Sequence, residues 1–225
     1  LPAAGIGRRL GSRTPKQYHS IGGTPVLIHS INRLLEIPEI EHLVVVLHPK
    51  DQHWAAFNFK NKRVSIVTGG DERIDSVISG MQFLSEEANA SDWVLVHDAA
   101  RPLVEAVDVR LLMEAVCEHG AAALGHPATD SVKLEAGGFS EHGLDRDRLW
   151  LVQTPQGASV ENFRKAYSIV AEGEDLTDEL ALLEAAGISA RLVKGSRENI
   201  KVTLPGDDEL ALFFLSRREA AGAND

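Results

Sequence analysis

Short apolar runs alternate with helix-period segments along almost the whole chain, and this alternation restricts the fold more than any other property of the sequence. His42–Leu47 (HLVVVL) and Trp93–His97 (WVLVH) are continuous apolar runs, the pattern of strands covered on both faces. Val64–Val67 and the small-residue run Ala121–Gly125 read as two more strands. Between them, Leu27, Ile31 and Leu34 share one face of a helix over Pro25–Leu35. Ile74, Val77, Ile78, Met81 and Leu84 mark a second helix, and Val107–Cys117 a third. Repeated strand-then-helix units imply an α/β fold with a mostly parallel sheet and helices on both faces.

The rhythm breaks at 130–148. Ser131–Glu135 and Phe139–Leu144 flank Ala136-Gly-Gly138, which predicts a β-hairpin. A hairpin has no place inside a parallel sheet, so it is expected to project as an arm, and projecting hairpins commonly meet a second subunit. A homodimer is therefore expected. After the arm come a strand over Leu149–Gln153, helices near 159–171 and 177–186, strands near 189–194 and 199–203, and an amphipathic helix near 207–219. The chain carries neither an internal repeat nor a linker, so residues 1–225 read as one domain with an arm at about 130–148. The single cysteine, Cys117, lies among Leu112, Ala115 and Val116 and is expected to be buried and inert. The chain opens without Met at what reads as the end of a strand, so a short strand is expected ahead of Leu1. Without an apolar run of about 18 residues or a signal peptide, a cytoplasmic location is expected.

Charge is distributed unevenly. Residues 1–35 carry Arg8, Arg9, Arg13, Lys16 and Arg33 and no acid, while the remaining 190 residues hold 18 cations against 33 anions. The net charge of −10 argues against non-specific nucleic-acid binding, which needs broad basic surfaces. Four of the cations sit on the glycine-studded segment Leu1–Lys16, where backbone N–H groups and fixed positive charge together suit a polyphosphate such as a nucleoside triphosphate. A dinucleotide fingerprint would need glycine where Leu10 stands, and a P-loop would need Gly-Lys-Ser/Thr; both are absent. A glycine-rich turn with exposed arginines reads equally well from this segment alone.

Three further junctions offer chemistry, each with a structural alternative. Val96-His-Asp-Ala-Ala-Arg-Pro102 follows a buried strand, at the carboxyl end where open α/β sheets place functional groups. Asp98 there could orient a hydrated Mg²⁺ on phosphates, or could cap the following turn. His97 reads as a packed strand-end residue, and no zinc site is expected. In Thr68-Gly-Gly-Asp-Glu-Arg-Ile-Asp-Ser76, Gly69 and Gly70 permit backbone approach, and Asp71 or Ser76 could bond a base or ribose; an N-capped helix start explains the run equally well. Lys201 in Asn199-Ile-Lys-Val-Thr203 could aim an ammonium at phosphate, or lie on a solvated strand face.

These segments occur in one order: Pro2-Ala-Ala-Gly-Ile-Gly-Arg-Arg9, Pro15-Lys-Gln-Tyr18, Gly69-Gly-Asp-Glu-Arg73, Val94-Leu-Val-His-Asp-Ala-Ala-Arg-Pro102, Thr154-Pro-Gln156, Thr177-Asp-Glu179 and Asn199-Ile-Lys-Val-Thr203. Together they resemble the 2-C-methyl-D-erythritol 4-phosphate cytidylyltransferase family of the non-mevalonate isoprenoid route, from residue 1 to about 210. The resemblance implies a Rossmann-like nucleotidyltransferase that joins CTP to a polyol phosphate, releases pyrophosphate and requires Mg²⁺. It implies that Arg9, Lys16 and Lys201 are catalytic cations and that Ala3, Ala4, Gly5, Gly7, Gly70, Asp71, Ser76 and Asp98 bind the nucleotide, with Asp98 serving the metal indirectly. Arg101, Ser131, Arg146 and Lys201 would bind the acceptor, Ser131 and Arg146 reaching from the arm into a neighbour's site. Two positions depart from the family pattern. Ser131 stands where threonine is usual, which keeps the hydroxyl, and Thr177-Asp-Glu-Leu-Ala-Leu182 lacks the usual serine at its fifth position. A cytidylyltransferase for another alditol phosphate, such as ribitol 5-phosphate, is the nearest alternative. A non-catalytic nucleotide-binding protein is the alternative from another class.

Overall fold

The computed structural model describes residues 1–5, 14–70, 72–86, 88–169 and 177–222. Its first elements are a short antiparallel pair, β1 (Ser20–Ile21) and β2 (Thr24–Pro25), and helix α1 (Val26–Leu35). β3 (Leu43–Leu47) and β4 (Val64–Thr68) run parallel, and Leu1–Ala3 lies along the other edge of β3. There the Leu1 and Ala3 nitrogens donate to the Val44 and Val46 carbonyls, both at 2.8 Å. Helix α2 (Arg73–Ser85), strand β5 (Trp93–Val96), helix α3 (Ala106–His119) and strand β6 (Ala121–Pro127) follow.

The arm is β7 (Lys133–Ala136) and β8 (Phe139–Gly143). Gly137 and Gly138 turn it at φ of 59° and 87°, a left-handed pair that side-chain-bearing residues adopt only with strain. The expected hairpin is present, and every residue of both strands is exposed. β9 (Trp150–Ser159), α4 (Val160–Ile169), α5 (Glu179–Ala185), β10 (Arg191–Lys194) and α6 (Asp207–Gly222) complete the described elements.

Strands β10, β6, β9 and β5 lie side by side in that order. β10 is parallel to β6, but β9 runs antiparallel to both neighbours, so this sheet is mixed. β9 also runs six residues past the predicted Gln153, carrying Thr154-Pro-Gln156 inside the strand. Its Gly157 is sterically required, because a Cβ there would collide with the Leu95 side chain and stand 3.1 Å from Val116 Cγ2.

Helices cover both faces. Leu27, Ile31 and Leu34 of α1, Val45 and Leu47 of β3, and Leu112 and Val116 of α3 form one core. Val77 and Met81 of α2, Val94 and Val96 of β5, Phe163 of α4 and Leu182 and Leu183 of α5 form the other. Within β5, Leu95 joins the first core and its two neighbours the second, which is why the run is apolar throughout.

Two further expectations fail. Residues 199–203 form no strand; Val202 N–H makes one 2.8 Å bond to the Ala100 carbonyl, while Val202 itself packs in a third core with Ile21, Val26 and Leu103. Cys117 is exposed, because the helix buries Leu112 and Val116 one turn apart and turns the next position outward.

Candidate active site

The carboxyl end of β5 opens onto a cavity of about 210 Å³. Five chain segments meet there: Ala3-Ala4-Gly5, Lys16-Gln17, the start of α2, Asp98 and Lys201. The first is aligned by β3, through the parallel bonds at Leu1 and Ala3. Gln17, buried in a short 3-10 turn over Lys16–Tyr18, clamps it further by donating its Nε2 hydrogen to the Ala3 carbonyl at 2.7 Å.

The start of α2 approaches closely because its glycines lack side chains. A Cβ on Gly69 would stand 2.5 Å from Ser76 Oγ and 2.8 Å from Val46 Cγ1, and one on Gly70 would strike Asp75. The Ser76 hydroxyl donates to the Glu72 carbonyl at 3.2 Å, and Glu72 N–H donates to Asp75 Oδ2 at 3.1 Å. This side-chain-closed helix start lines the cavity.

Asp98 is the centre of charge. Lys201 Nζ lies 2.7 Å from its Oδ2, Arg101 Nε 3.7 Å from the same oxygen, and Arg73 Nη2 3.7 Å from Oδ1. Burial by itself would raise the Asp98 pKa, but Lys201 first, with Arg73 and Arg101, outweighs burial and holds it at about 2. The carboxylate is therefore ionised at any physiological pH. It does not cap a helix; its backbone carbonyl accepts the Arg101 N–H at 3.0 Å and its carboxylate faces the cations. Arg101 does not line the cavity. It backs Asp98 from beneath, donating to the Asn199 carbonyl at 2.7 Å.

His97 is structural, as the sequence suggested. It is 2% exposed, and burial drops its pKa to about 4, so the ring is neutral. Its Nε2 lies 3.0 Å from the Arg101 carbonyl and must donate there, leaving Nδ1 to accept from the Thr154 hydroxyl at 3.1 Å. Thr154 Oγ1 in turn accepts the Asp98 N–H at 2.9 Å. With both nitrogens occupied, this ring is not a general base.

Sequence reading missed one ion pair. Arg73 places its two Nη atoms 2.6 and 2.7 Å from the two carboxylate oxygens of Glu179, which is 2% exposed. Burial pulls the Arg73 pKa down, but Glu179 outweighs burial and raises it. Both residues stood in quoted motifs, Gly69-Gly-Asp-Glu-Arg73 and Thr177-Asp-Glu179, and their spacing of 106 residues hid the pairing.

Of the predicted residues, Ala3, Ala4, Gly5, Lys16, Ser76, Asp98 and Lys201 line this one cavity, and Gly70 and Arg101 adjoin it. Arg9, Gly7 and Asp71 lie outside the described residues. Ser131 and Arg146 are exposed near the arm, away from the cavity, where Arg146 Nη1 donates to the Thr129 carbonyl at 3.3 Å.

A cavity at strand ends, lined by close-approaching backbone, a lysine pair and an ionised aspartate, is chemically suited to a nucleotide polyphosphate. The profile of the family described as 2-C-methyl-D-erythritol 4-phosphate cytidylyltransferase (IspD) matches residues 1–217. The chain belongs to this family. It is 40% identical to the 2-C-methyl-D-erythritol 4-phosphate cytidylyltransferase of Yersinia pseudotuberculosis, an alignment that covers 98% of this chain and 92% of that relative. Among solved structures, it resembles the Francisella tularensis enzyme with a TM-score of 0.80 at 30% identity, over 94% of this chain and 96% of that one. The Thermus thermophilus enzyme aligns with a TM-score of 0.76 at 29% identity, over 96% of each chain. The α/β architecture with helices on both faces is thus the family's own. Among the described residues, no helix is long and apolar enough to cross a membrane.

Proposed function

We propose that this chain transfers the cytidylyl group of CTP to 2-C-methyl-D-erythritol 4-phosphate, giving 4-diphosphocytidyl-2-C-methyl-D-erythritol and pyrophosphate in isoprenoid precursor synthesis. The observation that carries this reading is the convergence of Ala3–Gly5, Lys16, Ser76, Asp98 and Lys201 on one cavity in a member of this family. Both substrates are charged metabolites, which fits a cytoplasmic reaction.

In this reading the cytosine and ribose lie against the Ala3-Ala4-Gly5 backbone and the Gly70–Ser76 junction, with Asp71 and Gly7 contributing from outside the described residues. Lys16 and Arg9 hold the triphosphate. The acceptor's phosphate is already a competent nucleophile, since its second pKa is near 6. One of its oxygens attacks the α-phosphorus, the bond from that phosphorus to the bridging oxygen breaks, and pyrophosphate leaves with the electron pair. The chain's task is to hold two polyanions in line and to neutralise the charge that develops between them. Lys16, Arg9 and Lys201 do this, with Arg101 supporting the acceptor side.

Mg²⁺ fits the donor set. A magnesium ion is commonly held by one or two carboxylates together with substrate phosphates and water, and Asp98 supplies one ionised carboxylate in the cavity. Among the described residues no cluster of three or more His, Cys, Asp or Glu could hold a metal without such help. Asp98 would hold the ion jointly with the nucleotide; when bound, the ion neutralises triphosphate charge.

The exposed arm supports a homodimer in which Ser131 and Arg146 complete a neighbour's site. The acceptor is tested by pyrophosphate release from CTP and Mg²⁺ with equal concentrations of candidate alditol phosphates. Methylerythritol 4-phosphate is expected to support the fastest release; faster release with ribitol 5-phosphate would replace the proposed acceptor.

A further inference from the structure

The roles assigned above leave one buried ion pair at the cavity without a task. Arg73 opens α2 and lines the cavity, yet Glu179 takes both of its Nη atoms in a fork at 2.6 and 2.7 Å. Glu179 is itself firmly placed. It is the first residue of α5, whose start is capped by Asp178 Oδ1 accepting the Ala181 N–H at 2.9 Å. Gln156 of β9 then ties that start to the sheet, donating to Asp178 Oδ2 at 2.9 Å and accepting the Leu180 N–H at 2.7 Å. A continuous series of bonds therefore runs from β9, through α5, to the residue that begins the nucleotide-side helix. Its far end is Arg73 Nη2, 3.7 Å from Asp98 Oδ1.

We propose that Glu179 is a positioning residue that acts through Arg73: its carboxylate fork holds the guanidinium at the cavity wall and fixes the start of α2 where CTP lies. This rests on the transferase reading and extends it to a pair of residues without an assigned role. Bringing the pair out of water costs desolvation, so its presence is weak evidence for a contribution to stability.

Charge and position make opposite predictions, which makes the idea testable. Arg73, Arg101 and Lys201 oppose Asp98 and Glu179, so removing the Glu179 charge makes the site more positive. Electrostatics alone would then tighten the binding of a triphosphate. If Glu179 positions Arg73, its removal frees the guanidinium to close on Asp98, in competition with Lys201, and loosens the α2 start. CTP binding then weakens.

The experiment is calorimetric titration of the whole chain with CTP and Mg²⁺, without acceptor, beside thermal melts of each variant. Glu179→Gln is expected to raise the CTP Kd about tenfold, the scale of a lost charge-assisted bond. Arg73→Lys keeps the charge but cannot engage both carboxylate oxygens, and it is expected to weaken CTP similarly. The Arg73→Lys/Glu179→Gln double variant should lose no more than the weaker-binding single variant. An unchanged or lowered Kd in Glu179→Gln, including one accompanied by a lower melting temperature, would overturn the proposal. Losses that multiply in the double variant would overturn it too. Wild-type protein that bound no CTP would instead remove the transferase reading, and this proposal with it.

Discussion

Single residues in this site do their work by being held, and His97 shows how. Its ring nitrogens serve the Arg101 carbonyl and the Thr154 hydroxyl, and the same hydroxyl receives the Asp98 N–H. A ring this buried stays neutral in the folded chain down to about pH 4, whereas in the unfolded chain it protonates near pH 6.5. Between those values the unfolded state binds the extra proton, so stability is lost as pH falls, at up to about 1.4 kcal/mol per pH unit. Urea unfolding from pH 7 to pH 4.5 is expected to show this slope, and His97→Asn should flatten it. An equal slope in the variant would assign the acid sensitivity to other groups. Hydropathy showed only that His97 ends a buried strand; its partners Arg101 and Thr154 lie 4 and 57 residues away, and no local pattern carries that separation. Lys201 is the converse case. Its alternation with Ile200 and Val202 was legible, and the structure keeps the alternation by packing those two against one core and turning the lysine to Asp98.

At the scale of elements, the strands and helices whose apolar spacing is strong came out where the spacing put them. Val26–Leu35, Leu43–Leu47, Arg73–Ser85 and Ala106–His119 differ from the sequence reading by a few residues at their ends. β9 did not. A strand buried on both faces reads the same in either direction, so its antiparallel course was invisible. Pro155 and the buried polar residues Gln153, Thr154 and Gln156 also disguised its second half as a break. Those polar groups are the ones that anchor Asp98, Asn199 and α5, so the part that obscured the strand is the part that builds the site. Gly157 then lets β9 pass beneath Leu95 and Val116. Gly157→Ala should therefore destabilise the fold by about 1–3 kcal/mol through overpacking, measured as a lower denaturation midpoint with an unchanged slope. A neutral result would mean that the sheet shifts freely there.

In the proposed reading the acceptor side of the site depends on the whole molecule. The sequence disclosed a hairpin through Ala136-Gly-Gly138, and the structure has that hairpin, with Phe139 80% exposed near its tip. Ser131 and Arg146 sit by that arm and not at the cavity, so the role proposed for them requires a second chain. Mixing Arg146→Ala and Lys201→Ala proteins should restore part of the activity that each lacks alone, because one of the two sites in a mixed dimer is then intact. Failure to restore activity in a verified mixed dimer would place Arg146 in its own chain's chemistry.

Phosphorus NMR of the reaction follows the joining of two phosphates across one cavity. With CTP, Mg²⁺ and methylerythritol 4-phosphate, the phosphomonoester signal is expected to be replaced by the paired doublets of an unsymmetrical diphosphate. Pyrophosphate should appear in equal amount, and only when the acceptor is present. Cleavage of CTP at the same rate without acceptor, or pyrophosphate without the diphosphate doublets, would overturn the proposed transfer.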